Sequence, residues 1–250
     1  MSENKDDWNS HWNNFGDVSE INPAVKYRQD FLIKLLKAQD IKSTDVLIDI
    51  GCGTGSFLRQ LEQTNPGYRL IGLEPSVSGC EIARRNLHAE IFQVNVLTDS
   101  LLQSELREIA DIGICSEVIE HVDDPTEFLH RSGQFLKASG ILLVTVPGGF
   151  RSAYDKHIGH RQHFSKASLK KSLLEAGYQN IQIYRAGFPV FNLYKILTII
   201  AGKRLIKTAS KLDGQNSKVT SVISKAFNAL FIVTVSDSPF GWQLIATARK

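Results

Sequence analysis

Cysteine is scarce in this 250-residue chain. Cys52, Cys80 and Cys115 are an odd number, widely spaced, with no C-x-x-C pair. A disulfide framework is excluded, and the three read as small buried residues in a reducing compartment. No stretch reaches the roughly 18 uninterrupted apolar residues of a membrane span. The opening, MSENKDDWNSHWNNF, is polar and acidic and lacks the apolar segment of a secretory signal. Charge of one sign is also missing. A net charge of +3 gives no strongly basic face, so nucleic acid is not an expected partner. There is no internal repeat and no low-complexity tract. A cytoplasmic protein is the simplest expectation.

What is present is ordinary for a globular chain, with 42% hydrophobic and 22% charged residues. The length suits one α/β domain with one substantial insertion. AVKYRQDFLIKLLKAQ carries Val25, Phe31, Leu32, Leu35 and Leu36 at helical spacing, with Pro23 near its start, where proline is tolerated. Short apolar runs follow: DVLIDIG, YRLIGLE, IFQVNV, DIGICS and ILLVTVP. Near-continuous Val/Ile/Leu runs of this kind fit strands buried on both faces of a parallel sheet. Between them SFLRQLEQT, VSGCEIARRNL, LLQSELREI and PTEFLHRSGQFLKA read as crossover helices. This alternation predicts a doubly wound α/β sheet with a ligand at the C-terminal ends of its strands. SKASLKKSLLEAGY reads as a further helix, NIQIYRA as a sixth strand and GWQLIATAR as the last. The expected organisation is a helical cap over 1–40, a core over 41–186, a helical insertion over 187–238 and a final core strand over 239–250.

The strongest local signal is Asp49-Ile50-Gly51-Cys52-Gly53-Thr54-Gly55, where the first strand gives way to a helix. Glycines there allow a sharp turn and bring a ligand against main-chain N–H groups. The dinucleotide spacing G-x-G-x-x-G would need glycine at Ser56, and no G-x-x-x-x-G-K-[ST] occurs. Glu74 ends the second strand, 19 residues after Gly55. A carboxylate there is placed to accept hydrogen bonds from two ribose hydroxyls. Asp49 beside the turn disfavours pyrophosphate and suits a ligand with positive charge.

At these residues the chain resembles the class I S-adenosylmethionine (SAM)-dependent methyltransferases. VLIDIGCGTG is similar to their first motif and LIGLEPS to their second. ADIGICSEVIEHVDDP resembles their fourth-strand segment and LKASGILLVTVP their fifth. The resemblance covers roughly residues 45–186 plus the last strand. It implies a Rossmann-like sheet of about seven strands, the last antiparallel, with SAM as cofactor. By the same likeness, Asp49, Gly51, Gly53, Gly55 and Ser116 border the cofactor, Glu74 binds its ribose, and Asn95 stands where an aspartate often lies near adenine. Competing readings are a dinucleotide oxidoreductase and a non-catalytic SAM-fold scaffold subunit.

After the fourth strand comes SEVIEH. If it opens a helix, Glu117, Glu120 and His121 stand at i, i+3 and i+4 and share one face. Two carboxylates and an imidazole suit Mg²⁺ or another divalent cation, with His157, His160 or His163 as a further ligand; His160 is the one selected. This E-x-x-E-H pattern resembles metal-assisted O-methyltransferases, among them those of ubiquinone biosynthesis, and implies a small-molecule, sugar or lipid-linked acceptor. The alternative is His121 as a general base without metal, with the acids orienting the loop. Cys115 and Ser116 need no nucleophilic role, because transfer from a sulfonium is a matter of positioning.

The insertion holds two apolar blocks, FPVFNLYKILTIIA and VTSVISKAFNALFIVTV. The second carries Val219, Val222, Ile223, Ala226, Phe227 and Leu230 on one face. Lys203, Arg204, Lys207 and Lys211 lie in the joint between them. The blocks read as lid helices packed on each other, or as a peripheral membrane contact through 188–235. Trp8, Trp12 and Phe15 read as an addition to the lid or as a tail. Oligomeric state is not legible.

Overall fold

Neighbouring residues along each strand are sorted to opposite sides of one sheet, as a pleat with a two-residue repeat requires. Leu47, Leu70, Ile112, Ile114, Leu143 and Ile245 face one core layer; Ile48, Ile71, Cys115, Leu142, Val144 and Leu244 face the other. The computed structural model describes residues 7–13, 22–39, 41–64, 67–99, 105–209, 227, 230, 231, 234 and 236–250, and of 201–209 the backbone path alone.

The strands are β1 (Val46–Ile50), β2 (Arg69–Glu74), β3 (Glu90–Gln93), β4 (Ala110–Ser116), β5 (Leu136–Pro147), β6 (Gln179–Ala186) and β7 (Gln243–Arg249). The sheet order is β3-β2-β1-β4-β5-β7-β6. Pairs among β1 to β5 are parallel, and β7 is antiparallel to both its neighbours. The strand order reverses between β1 and β4, which opens a crevice beyond their C-terminal ends. Helices α1 (Pro23–Ala38), α2 (Ser56–Thr64) and α3 (Val77–Asn86) cover one face. The other is covered by α4 (Pro125–Gly133) and α6 (Lys166–Glu175), with the short α5 (Ala153–His157) between them in sequence. Asn22 caps α1 by accepting from the Ala24 N–H at 2.9 Å, and Pro23 takes the first turn. All three cysteines are buried and free.

The structure differs from the sequence reading at several elements. The third strand stops at Gln93 rather than running through Val96; Val94 and Val96 enter the core from a turn that Asn95 and Asp99 close. The fourth crossover helix ends at Gly133 rather than continuing through Ala138. Leu136 instead pairs with Ala110, and Lys137 reaches Asp111 at 2.8 Å, so cross-strand pairing overrides helical periodicity there. The first block of the insertion does not stop at the basic joint. It forms α7 (Val190–Ala209), which includes Lys203, Arg204 and Lys207. Of LLQSELREI, residues 101–104 lie outside the described residues, and from Leu106 the chain turns rather than running as a helix, with Glu108 at φ +55°; Lys211, Val219, Val222, Ile223 and Ala226 also lie outside them. Of the second block, Phe231 stacks on Tyr27 at 4.9 Å and Phe227 meets Tyr194 of α7 edge-on at 5.2 Å, as a packed pair of blocks requires. No helix of the described residues is long and apolar enough to cross a membrane.

Gly72 sits mid-strand in β2, where a Cβ would lie 2.8 Å from both Cys52 Sγ and Ile91 Cδ1 and 2.9 Å from Leu58 Cδ1. Gly72→Val is therefore expected to cost about 1–3 kcal/mol by overpacking. Urea unfolding measures it, and an unchanged midpoint would contradict this packing.

Candidate active site

Gly51, Gly53 and Gly55 all adopt positive φ, at +81°, +57° and +75°. This bends the chain out of β1 so that the N–H groups of Gly51 and Cys52 both reach the Leu73 carbonyl, at 2.7 and 2.9 Å. α2 then starts directly at Ser56, whose hydroxyl is held by Gln29 of α1 at 2.8 Å. The turn is stitched to the tip of β2 by one side chain. Glu74 Oε2 accepts from the Gly53 N–H at 3.0 Å, while Oε1 accepts from the Ser76 N–H and hydroxyl at 3.1 and 2.6 Å. Burial raises the Glu74 pKa, and these hydrogen bonds oppose the rise. Asp49, buried beside it, is pushed up to about 7 by desolvation and then by the Glu74 charge. The crevice therefore holds two carboxyl groups that burial disfavours as anions, and a positively charged ligand would draw them toward their ionised forms.

The open side of this crevice is occupied by the chain itself. A helical turn at 8–13 lies across it. Trp12 donates its indole N–H to Glu74 Oε1 at 3.2 Å, and its ring lies so close over Gly53 that a Cβ there would stand 2.6 Å from Cζ2. Asn9 Oδ1 accepts from the Ser78 N–H at 3.1 Å, and Trp8 meets the His121 ring edge-on at 4.9 Å. The two tryptophans of the opening thus belong to the site rather than to a tail; Phe15 lies outside the described residues. Any ligand that needs both oxygens of Glu74 must displace the indole.

Beyond β4 the expected α-helix does not form. Glu117 adopts φ +57°, and only a 3₁₀ turn follows, Ile119–His121. The two acids and His121 therefore do not share one helical face. Glu117 turns toward β5 and β7: Oε1 accepts from Thr145 Oγ1 at 3.0 Å and Gln243 Nε2 at 2.9 Å, and Oε2 faces Arg28 Nη1 at 3.6 Å. Ser116 Oγ shares a 2.8 Å hydrogen bond with the same Thr145 hydroxyl.

Glu120 is fully buried. Desolvation first, and the Glu117 charge second, hold its pKa well above the carboxylate range. Among the described residues nothing donates to either of its carboxyl oxygens, and His121 Nδ1 is equally without a partner. The Glu117 charge and the Gly159 backbone favour the protonated His121 ring, but burial outweighs both. Burial holds His121 near pKa 4 and His160 near 2, so both are neutral imidazoles at pH 7. Glu120, His121 and His160 each offer a ligand atom within 4.8 Å of one another. Three of the four residues read from sequence as a metal set thus converge, without Glu117.

A second trio, Asp155, His160 and His163, also converges. There, however, Asp155 is already engaged by Lys195 Nζ at 2.6 Å and by Ser152. His163 Nε2 stands 3.1 Å from His160 Nδ1, a contact that turns the other nitrogen of His160 toward a different neighbour. His157 is exposed. Asn95 is exposed two residues past β3, its Oδ1 accepting from the Leu97 N–H at 3.0 Å. Sequence reasoning missed Arg28, Thr145, Gln243 and Lys195. Only Gln243, a lone amide in an apolar strand, left a trace that could have been read.

A family profile described as a methyltransferase domain matches residues 24–183. A ubiquinone biosynthesis O-methyltransferase of Rickettsia bellii (strain OSU 85-389) is 29% identical over 150 residues, covering 58% of this chain and 60% of that protein. The match thus spans about three-fifths of that relative's length. Phosphoethanolamine N-methyltransferase 2 of Haemonchus contortus, solved with S-adenosyl-L-methionine, superposes with a TM-score of 0.59 at 18% identity, over 88% of this chain and 52% of that one. The [4+2]-cyclase SpnF superposes equally well, with a TM-score of 0.59 at 18% identity, over 89% of this chain and 80% of that one. At such identities the superpositions establish the fold alone.

The shift at Asp49 has a consequence for stability. Between its unfolded pKa, about 4, and its folded value, about 7, the native state holds the extra proton, so this group's contribution falls as pH rises. Asp49→Asn is expected to gain on the parent from pH 4.5 to 7.5, reaching about 2–4 kcal/mol. Urea unfolding of the two proteins side by side cancels the histidine contributions. A gap that stays constant with pH contradicts a buried, proton-holding Asp49.

Proposed function

The chain belongs to the methyltransferase-domain family and has its class I sheet order, and from that premise we propose that it transfers the SAM methyl group to an oxygen of a small-molecule or lipid-linked acceptor. One observation carries the reading: a strand-tip carboxylate, Glu74, hydrogen-bonded to the amide of Gly53 in the glycine turn. In this proposal the turn at Asp49, Gly51, Gly53 and Gly55 holds the methionine part of SAM. Glu74 takes the ribose hydroxyls, and Asn95 and Ser116 border the adenine and the sulfonium. Where they are ionised, Asp49 and Glu74 attract the sulfonium more than its neutral product, S-adenosylhomocysteine (SAH), which favours product exchange.

Transfer needs an acceptor oxygen in line with the methyl–sulfur bond. The oxygen pair attacks the methyl carbon, the carbon–sulfur bond breaks onto sulfur, and the acceptor proton passes to a base. His121, neutral and beside the cofactor crevice, is the candidate for that proton through Nδ1. Glu120, His121 and His160 also fit a divalent cation, because they present one oxygen and two nitrogens with buried atoms that no protein group satisfies. When bound, it would act as a Lewis acid that lowers the pKa of an acceptor hydroxyl. Oxygen as the accepted atom draws on the printed names of the sequence relatives. A lipid-linked acceptor draws on α7, where Leu193, Ile196, Leu197 and Ile200 are exposed.

Two measurements test the reading. In calorimetric titrations with SAH, Glu74→Ala is expected to bind about 10–100-fold more weakly, the loss of charge-assisted hydrogen bonds. Trp12→Ala should instead bind about 3–10-fold more tightly, because the parent must first free its crevice. Equal affinities in all three proteins would sink the assignment. For the cation, Mn²⁺ addition at pH 7 is expected to release a proton as Glu120 ionises, and Glu120→Gln should abolish both release and binding. Full methyl transfer in excess EDTA, with no proton release, would leave His121 as base without metal.

A further inference from the structure

The loop from 148 to 165 leaves β5 at the same end of the sheet as the glycine turn, and it is held at several points. Phe164 N–H reaches the Pro147 carbonyl at 3.0 Å, and Arg161 N–H reaches the Glu120 carbonyl at 2.7 Å. Ser152 and Asp155 cap α5 reciprocally, and Lys195 of α7 fixes Asp155 from the opposite side. Such anchoring presents the side chains between these points in one arrangement, which lowers the ordering cost of binding.

Within the loop is a cavity of about 320 Å³ lined by Arg151, Lys156, Gly159, His160 and Arg161. Three of the five are cations, and no acid is among them. Two nearby carboxylates already have cationic partners. Asp155 is buried under Lys195, and Asp123, which pairs with Arg161, has a side chain 89% exposed. An ion pair that open to water is weak and exchanges readily for a better-placed anion. Arg151 Nη1 donates to the His160 carbonyl at 3.3 Å, which spends one of its five donors. Arginine forks match phosphate and carboxylate oxygens, and lysine adds a point charge.

His160 joins this cavity to the candidate reaction centre. The residue lines the cavity, and its ring stands 4.8 Å from the His121 ring. An anion lodged between Arg151, Lys156 and Arg161 would therefore sit one residue away from Glu120 and His121.

We propose that this cavity holds an anionic group of the methyl acceptor, a phosphate or a carboxylate, and so orients the accepting atom toward His121. The word acceptor rests on the methyltransferase reading; anion binding in the cavity does not. The test has two arms. Phosphorus-31 line broadening of inorganic phosphate, at constant ionic strength and with saturating SAH, reads the cavity alone. Saturable broadening is expected in the parent and at least 10-fold weaker binding in Arg151→Ala/Lys156→Ala, with Arg151→Gln/Lys156→Gln as the milder pair and SAH titration to verify folding. Acetate competing at lower concentration than phosphate would assign a carboxylate. The second arm compares 3,4-dihydroxybenzoate with catechol, which differ by one carboxylate. The ratio of their kcat/KM values should fall at least 10-fold in the variants. Absent broadening in the parent, broadening abolished by SAH, or equal binding in the variants overturns the proposal. Phosphate binding without methylation of either diol supports the cavity and counts against the hydroxyl-directed reading.

Discussion

A single buried carboxylate fixes the geometry of this site. Glu74 ends β2, and its two oxygens hold the Gly53 amide, both donors of Ser76 and the Trp12 indole. Burying such a group without donors would cost several kcal/mol, so the glycine turn and the β2 tip are obliged to stay together. That pairing forces Gly53 into a conformation other residues avoid. It also sets the distance between the turn and the strand tip, which is the span a nucleoside has to bridge. The same donors explain the guest position of Trp12. The indole N–H adds a further donor at Oε1, which the Ser76 amide and hydroxyl also share.

Around that anchor the titratable groups are held away from their ordinary states. Asp49 and Glu120 are pushed up by burial, and His121 and His160 are pushed down by it. Desolvation is the largest cause in each case, so the region behaves as a dry pocket in which proton positions are set by access to water. Neutral imidazoles and a Glu120 whose protonated form burial favours make a set that a cation or an acceptor hydroxyl can switch. Groups with shifts of this kind are common at reacting centres, though structural networks produce them as well. Glu117, by contrast, has its three partners supplied by β5, β7 and α1 and serves to hold the β4 tip in place.

Much of this was legible in the sequence, for definite reasons. Near-continuous apolar runs mark strands buried on both faces, and every strand of the sheet was recognisable from its run. The glycine turn and Glu74 were legible because their chemistry is local: φ above zero and an acid at a strand end leave traces within a few residues. What failed was local reasoning about non-local events. Phe135 and Leu136 keep helical spacing, yet a strand partner claims them. Glu117, Glu120 and His121 keep it too, yet a left-handed Glu117, bonded to residues 28 and 126 positions away in Thr145 and Gln243, is drawn out of the group that Glu120 and His121 form with His160. His160 was reachable only as one of several histidines, because its place beside His121 is set by the Arg161–Glu120 backbone contact. Trp12 was visible as an aromatic opening, but nothing in its neighbourhood says which crevice it fills.

The most direct test of the account is a crystal structure with SAH bound. The account predicts ribose hydroxyls on Glu74 in place of the Trp12 indole, with the homocysteine sulfur directed toward His121. Nucleoside bound elsewhere, while the indole keeps its hydrogen bond to Glu74, would contradict it.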